Sequence, residues 1–321
     1  MRGRAASGPT PSQGTHGIPH SAIVSPELDA GRNRQSAKSG ASPWHDALRR
    51  LRRNRLAMLG LLLLAGFVLA AVLAPWIAPF PYDRTNLRYG AKPPTRTHLL
   101  GTDELGRDLL TRILYGARIS FAVGILATLV SLTIGVTYGS IAGSMGGRVD
   151  HLMMRVVDIL YGLPFMFFVI ILMVIFGRNI LNLFIALGAV QWLTMARIVR
   201  GQVLSLRARE FVLSAQAIGA SPTRLLVRHV LLNALGPIVV YATLTVPAVM
   251  LEEAFLSFLG LGVQPPMASW GSLASEGAAA METYPWLILF PGLALTVTLL
   301  SLNFVGDGLR DALDPQVTSG R

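Results

Sequence analysis

Cysteine does not occur among the 321 residues, so neither a disulfide nor a thiolate metal site can form. Charge is scarce too: Asp, Glu, Lys and Arg make up 14% of the chain against 52% hydrophobic residues, and the mean hydropathy is +0.52. That balance is unusual for a water-soluble domain. The six histidines, at positions 16, 20, 45, 98, 151 and 229, stand apart with no HExxH-like spacing, which leaves no metalloenzyme motif. A GxxxxGK[ST] phosphate loop is missing as well; its nearest imitation, GRNRQSAKSG from Gly31, lacks the second glycine before the lysine. The chain itself is expected to bind no cofactor and to hydrolyse no nucleotide.

What is abundant is uncharged apolar length. A bilayer core takes about 20 mainly apolar residues of helix, and six runs qualify: Leu56 to Phe80, Ile119 to Gly147, Ile159 to Gly177, Asn179 to Ala196, Val230 to Leu251 and Thr283 to Gly306. They predict an all-α integral membrane protein with six transmembrane helices. The run after Glu253, AFLSFLGLGVQPPMASWGSLAS, contains glycines and the Pro265-Pro266 pair, so it is expected to finish the fifth span and continue as a loop, with re-entry left open. Residues 1–43 are rich in Ser, Gly and Pro and predict a disordered tail. The first apolar run begins too late and continues too long for a cleaved signal peptide, and a retained span is expected.

The net charge of +11 raises nucleic acid as a partner, but its distribution points to topology. Ten of the 28 Lys and Arg residues precede the first span, five of them at Arg49, Arg50, Arg52, Arg53 and Arg55. With both termini in the cytoplasm, 20 of the 28 lie on the cytoplasmic side, as the positive-inside rule requires. Membrane lipid, rather than nucleic acid, is the expected surrounding. The organisation that follows is a cytoplasmic tail over 1–43, the first span and an external loop over 44–118, the main transmembrane domain over 119–306, and a cytoplasmic C-terminal tail over 307–321.

The fourth-to-fifth connection is polar: EFVLSAQAIGASPTRLLVRHVLLNALGPI, Glu210 to Ile238. Phe211, Ala215 and Ile218 recur at helical spacing among Arg207, Arg209, Glu210, Ser214 and Gln216, which predicts a short amphipathic helix. Gly219 offers a stop. Ser221 and Pro222 suit the cap and first position of a second helix, which presents Arg224 and Arg228 alongside Leu225, Leu226 and Val230. Pattern alone fits two readings: a helix pair on the membrane surface with arginines on headgroups, or an elbow that enters a groove on a cytoplasmic partner.

Other residues carry expectations of their own. Gly135, Gly139, Gly143 and Gly147 repeat every fourth residue and form a small-residue stripe, either for packing within the chain or against a second membrane subunit. Glu252 and Glu253 fall near the outer end of the fifth span, where a charge facing lipid is costly. One reading places them on a solute path, attracting an amino terminus or a cation; the other has them hydrogen-bonded to the Leu259 to Gly262 turn or exposed at the outer interface. GTDELGRD from Gly101 reads as a helix opening capped by Thr102 or Asp103, with Asp108 and Arg112 paired four apart. It is expected to form an external interfacial helix leading into the second span, either bracing an outer gate or contacting an external partner. Asp158 and Arg155 read as interfacial anchors, and Trp76, Trp270, Tyr284 and Trp286 as an aromatic belt.

Residues 210–238 resemble the EAA loop of ABC importer permeases, and most closely that of the C-type permease subunit of dipeptide, oligopeptide and nickel importers. There the loop reads EYVEAARALGAS, then RH, then LPN; this chain has EFVLSAQAIGAS, then RHVLLNALGPI. Ala215, Gly219, Arg228, His229 and Asn233 match, whereas Leu213 and Ser214 stand where the EAA glutamate and first alanine belong, and Glu210 keeps the upstream acid. The stretches HLLGTDELGRDLLTRILYGARISFAVG, DHLMMRVVDILYGLP, EEAFLSFLGLGVQPPMASWG and YPWLILFPGLALTVTLLSLNFVGDGLRDALDP are similar to the same subgroup, so the likeness runs from Trp44 to Pro315.

The resemblance implies a type I importer (MetI-like) permease fold over 119–306. It also implies a homologous B-type permease subunit, two ABC ATPase subunits that hold ATP and Mg, and an external solute-binding protein. Glu210, Leu213, Ser214, Ala215, Gly219, Ala220, Ser221, Pro222, Arg224 and Arg228 would then form the coupling element that meets the ATPase, in the cytoplasmic membrane of a bacterium. Small peptides are the implied solute; a nickel or nickel-chelate importer is the nearest alternative. A secondary transporter or channel acting alone is the alternative from another class, with no inverted repeat or ion-coordination motif in its favour.

Overall fold

The computed structural model describes residues 43–313. The tail expected over 1–43 lies outside them but for Pro43, as do residues 314–321 of the expected C-terminal tail. Helix follows helix throughout. The arginine-rich α1 (Pro43–Arg53) is parted from α2 (Arg55–Ile77) at Asn54, whose Oδ1 accepts the Ala57 N–H at 3.2 Å and so caps the apolar helix. After a long connection come α3 (Leu109–Met145), α4 (Gly147–Tyr161), α5 (Phe165–Phe176) and α6 (Ile180–Arg207). The short α7 (Glu210–Ala217) precedes α8 (Pro222–Arg224), which runs through the π-helical Leu225–Leu231 into α9 (Leu232–Phe258); α10 (Trp270–Ala279) and α11 (Trp286–Leu313) complete the chain.

Five of these helices are long and apolar enough to cross a membrane singly: α2, α3, α6, the continuous Pro222–Phe258 and α11. The pair α4 and α5, bent by 84° at the break between Tyr161 and Phe165, passes the same test only when the two helices are taken together, and as one broken span it makes the count six. The apolar run from Ile159 to Gly177 thus holds a break, and α5 covers only Phe165–Phe176 of it. Pro164 has no N–H for a continuing helix and biases Leu163 away from helical backbone, so the chain turns there. Several other spans outrun their apolar windows: α3 starts at Leu109 rather than Ile119, α6 continues past Ala196 to Arg207, and α11 reaches Leu313 rather than Gly306. A charged side chain ends lipid burial but does not interrupt the backbone ladder, so Arg197, Arg200 and Arg207 stay helical.

The stretch expected as a loop after the fifth span holds α10. Its entry is a reciprocal capping box, in which Ser269 Oγ accepts the Ser272 N–H at 3.0 Å and Ser272 Oγ accepts the Ser269 N–H at 2.9 Å. Trp270 at its first turn is wholly buried; its indole N–H donates to the Ile113 carbonyl at 3.0 Å, and its ring meets Phe67 and Phe121 edge-on at 5.6 Å. Trp270 therefore anchors the core instead of the membrane interface. Trp76, 76% exposed, remains free for that role, while the Trp286 indole is half-buried and donates to the Thr102 carbonyl at 3.2 Å.

Between helices in lipid, close backbone approach matters more than apolar burial, because the tails are as apolar as leucine. The most extensive pair is α3 with α6. A Cβ on Gly135 would lie 2.6 Å from Met195 Cβ, one on Gly143 2.8 Å from Val203 Cβ, and one on Gly139 would collide with the Ala196 carbonyl oxygen. Gly147 is not part of this seam: α3 ends at Met145, and Gly147, at φ +54°, opens α4 with nothing near its missing Cβ. Below the seam, Val199 and Val203 of α6 pack in one cluster with Val212 of α7, Val230 and Ile238, which roots the polar connection in the bundle.

Candidate functional site

Three regions gather chemistry. The first is the connection from Glu210 to Leu231. Val212 and Ala215 are its buried residues in α7, whereas Phe211 is 43% exposed, Leu213 52% and Ile218 88%. The apolar face expected on Phe211, Ala215 and Ile218 is thus split: Ala215 points inward, and Phe211 and Ile218 stand in the open. The helix pattern indicated one stripe, but the anchor is Val212, one position on from Phe211. Gly219 turns the chain at φ +88°, a conformation costly to any residue with a Cβ. Ser221 Oγ then accepts the Arg224 N–H at 3.4 Å and Pro222 takes the first helical position, as the Ser-Pro step predicts. Glu210, Ser214, Ser221, Pro222, Arg224 and Arg228 are all exposed, and Ala220 is half-buried.

The second region is a cavity of about 490 Å³ at the bend between α4 and α5. Leu163, Pro164, Phe168, Val190 and Leu193 give it apolar walls, and Tyr161, Gln191, Thr194 and Glu252 supply its polar side chains. Glu252 Oε1 accepts the Gln191 side-chain N–H at 2.6 Å, while Oε2 is closed off from solvent without a donor. Beside the cavity Arg197 covers the Tyr161 ring at 4.2 Å and donates to Asp158 at 2.8 Å. Asp158 is thus an inter-helix partner, and the bidentate pair of Arg200 with Asp150, at 2.5 and 2.6 Å, makes a second link between the same two helices. Sequence reasoning passed over Gln191, whose signal was an amide within a span.

Glu253 is the opposite of its neighbour. It is 1% exposed, takes hydrogen bonds from Ser257 at 2.8 Å and Ser269 at 2.7 Å, and lies outside the cavity wall. Its partners are these two serines rather than the Leu259 to Gly262 turn, and it fastens α10 to α9.

The third region corrects GTDELGRD. Its residues form a turn and a short bridge between Thr102 and Asp108, not a helix, and the cap of α3 is Asp108, whose Oδ2 accepts from Thr111 N–H and Oγ1 at 2.8 Å each. Gly106, at φ +70°, makes the turn against the Asn86 carbonyl. Arg112 does not pair with Asp108; it donates to Asp103 at 2.9 Å and to Glu276 of α10 at 2.7 Å, while Arg107 reaches Asp103 at 2.6 Å. Asp108 Oδ1 is engaged by His98 Nδ1 at 2.8 Å. The sequence placed the charges near one another but in the wrong pairs, because Glu276 arrives from a helix it did not reveal.

Known proteins align with this arrangement. The family described as binding-protein-dependent transport system inner membrane component matches residues 135–319, and the N-terminal TM domain of oligopeptide transport permease C matches residues 42–94. The oligopeptide transport system permease protein OppC of Haemophilus influenzae is 50% identical over 292 residues, 90% of this chain and 94% of that protein. OppC of Bacillus subtilis is 46% identical over 300 residues, 94% of this chain and 98% of its own length, and the dipeptide transport system permease protein DppC of that organism is 45% identical over 294, with 90% and 92% covered. A multi-pass helical chain that shares both segments and nearly its full length with these permeases belongs to the binding-protein-dependent transport system inner membrane components, as a non-catalytic ABC permease subunit of the C type.

Proposed function

We propose that this subunit forms half of a translocation path for di- and oligopeptides and takes its drive from cytoplasmic ATPase subunits through the elbow at Glu210 to Arg228. The names of its relatives support peptides as the solute. The arginine distribution supports both termini, and with them the elbow, on the cytoplasmic side. A homologous B-type permease completes the path, an external solute-binding protein delivers the peptide, and the two ATPase subunits hold ATP and Mg.

The observation that carries the coupling is the division of α7. Val212 and Ala215 fix it to the bundle, while Phe211, Leu213 and Ile218 project away from the described residues and are exposed. A knob that is apolar at the tip and rigid at the base transmits displacement without a covalent link, and it does so only if the partner binds its two positions with different affinity. Leu213 then replaces the polar contact of the EAA glutamate with an apolar one. On the path, Glu252 and the cavity around it are the part that meets the solute, whereas Glu253 braces the wall behind.

Ile218→Asp places a charge on the exposed tip without disturbing the fold. We expect the ATPase subunits to be lost on co-purification and uptake to fall with them. Full ATPase association and normal uptake in Ile218→Asp, and likewise in bulky replacements of Ala215 and Gly219, sink the coupling assignment.

A further inference from the structure

We infer that the cavity at the α4–α5 bend recognises a primary ammonium group carried on an apolar body, with the Glu252 carboxylate as its counter-ion; the inference rests on the reading of that cavity as part of the path. Glu252 is the one carboxylate among the lining residues, and neither Lys nor Arg is among them. Gln191 supplies a single donor to Oε1 and fixes the side chain, leaving Oε2 buried and unsatisfied. A carboxylate has room for about four donors, and one left short in a low-dielectric wall carries a penalty that an entering N–H removes. Arg197 of α6, beside the bend, does not fill this role, since it is held over Tyr161 and by Asp158.

At 1.5 Å per residue Gln191 stands about 16 Å along α6 and Glu252 about 9 Å short of the end of α9, so the carboxyl is held between two apolar spans, where ionisable groups persist for function. Glu253 shows what a purely structural carboxylate looks like one position away, with both serine donors in place and no cavity. Divalent metal fits poorly: one carboxylate and one amide fall short of the six or so oxygens that hard cations take, and the described residues hold no cluster of three metal-binding side chains. An ammonium needs only an acceptor. The apolar walls of Leu163, Pro164, Phe168 and Val190 suit the small body of a short peptide behind its amino terminus.

The test uses the purified, fully assembled permease and ATPase complex without solute-binding protein, titrated by calorimetry with trialanine and with N-acetyl-trialanine. The unaltered complex should bind trialanine at least about tenfold more tightly than its acetylated form. Glu252→Gln should close that gap, and Glu252→Asp should keep part of it. Equal binding of the two peptides, no measurable binding of trialanine, or a gap that survives Glu252→Gln overturns the inference. The underlying path is tested separately: the chain has no cysteine, so Ala189→Cys places a single thiol of this subunit on the cavity wall for a methanethiosulfonate reagent. If labelling blocks uptake while Glu252→Gln leaves the gap intact, the path stands and the ammonium role falls. If uptake survives labelling, both fall.

Discussion

At the start of α3, Asp103, Arg107, Asp108 and Arg112 are all buried and every one of them has an ionic or hydrogen-bonded partner; at the elbow, all six charged or hydroxylated residues from Glu210 to Arg228 are exposed, and so are Phe211, Leu213 and Ile218. One end is fastened, the other is presented. The difference teaches where this chain resists motion and where it is built to hand motion on. A network that ties the loop, α3 and α10 together holds its shape only while each charge keeps its partner. An exposed knob on a buried root keeps its shape without any partner and is free to meet one.

The strongest way to break the contrast is to open the network. Arg112→Ala leaves Asp103 with Arg107 alone and strips Glu276 of its bidentate partner, and we expect about 3 kcal/mol of destabilisation. Thermal unfolding of the purified subunit in detergent should fall by several degrees, and the loss should shrink if Glu276→Gln is added. An Arg112→Ala protein as stable as the parent would show the network to be ornamental.

Next comes the seam that connects the two ends. Gly139→Ala drives a methyl group into the Ala196 carbonyl of α6, backbone against backbone, and should cost about 2 kcal/mol, whereas Gly66→Ala on α2, with nothing within 4 Å, should be neutral or slightly stabilising. The pair, compared by thermal unfolding, separates close approach from helix propensity. Equal effects would mean that α3 and α6 give way at no cost.

Much of this was legible in advance. Six apolar runs gave the crossings, and Gly219 with Ser221 and Pro222 gave the turn and restart of the elbow, since each signal is local to a few residues. What failed needed partners distant in sequence. Trp270 reads as an interfacial residue until Phe67, Phe121 and the Ile113 carbonyl surround it. The small residues of α10 carry no apolar period, so a ten-residue helix looked like loop, and with it went Glu276 and the true pairing of Arg112. Glu252 and Glu253 are adjacent acids in the sequence. Only the approach of Gln191 from α6 and Ser269 from before α10 makes one a cavity wall and the other a brace.

The smallest expected change in stability falls at the elbow, and it sharpens the contrast most. Gly219→Ala asks a residue with a Cβ to hold φ +88° where nothing crowds it, so the cost is conformational, about 1 kcal/mol, and confined to the turn. Because α7 is rooted through Val212 rather than through the turn, global unfolding should shift by only a degree or two. The local effect should be larger: amide hydrogen exchange from Ile218 to Ser221 should quicken while Val212 to Ala215 stays protected, and uptake should fall further than stability does. A uniform rise in exchange across α7 and the start of α9 would mean that the turn, and not the buried face, holds the elbow to the bundle, and the two ends would then differ in exposure alone.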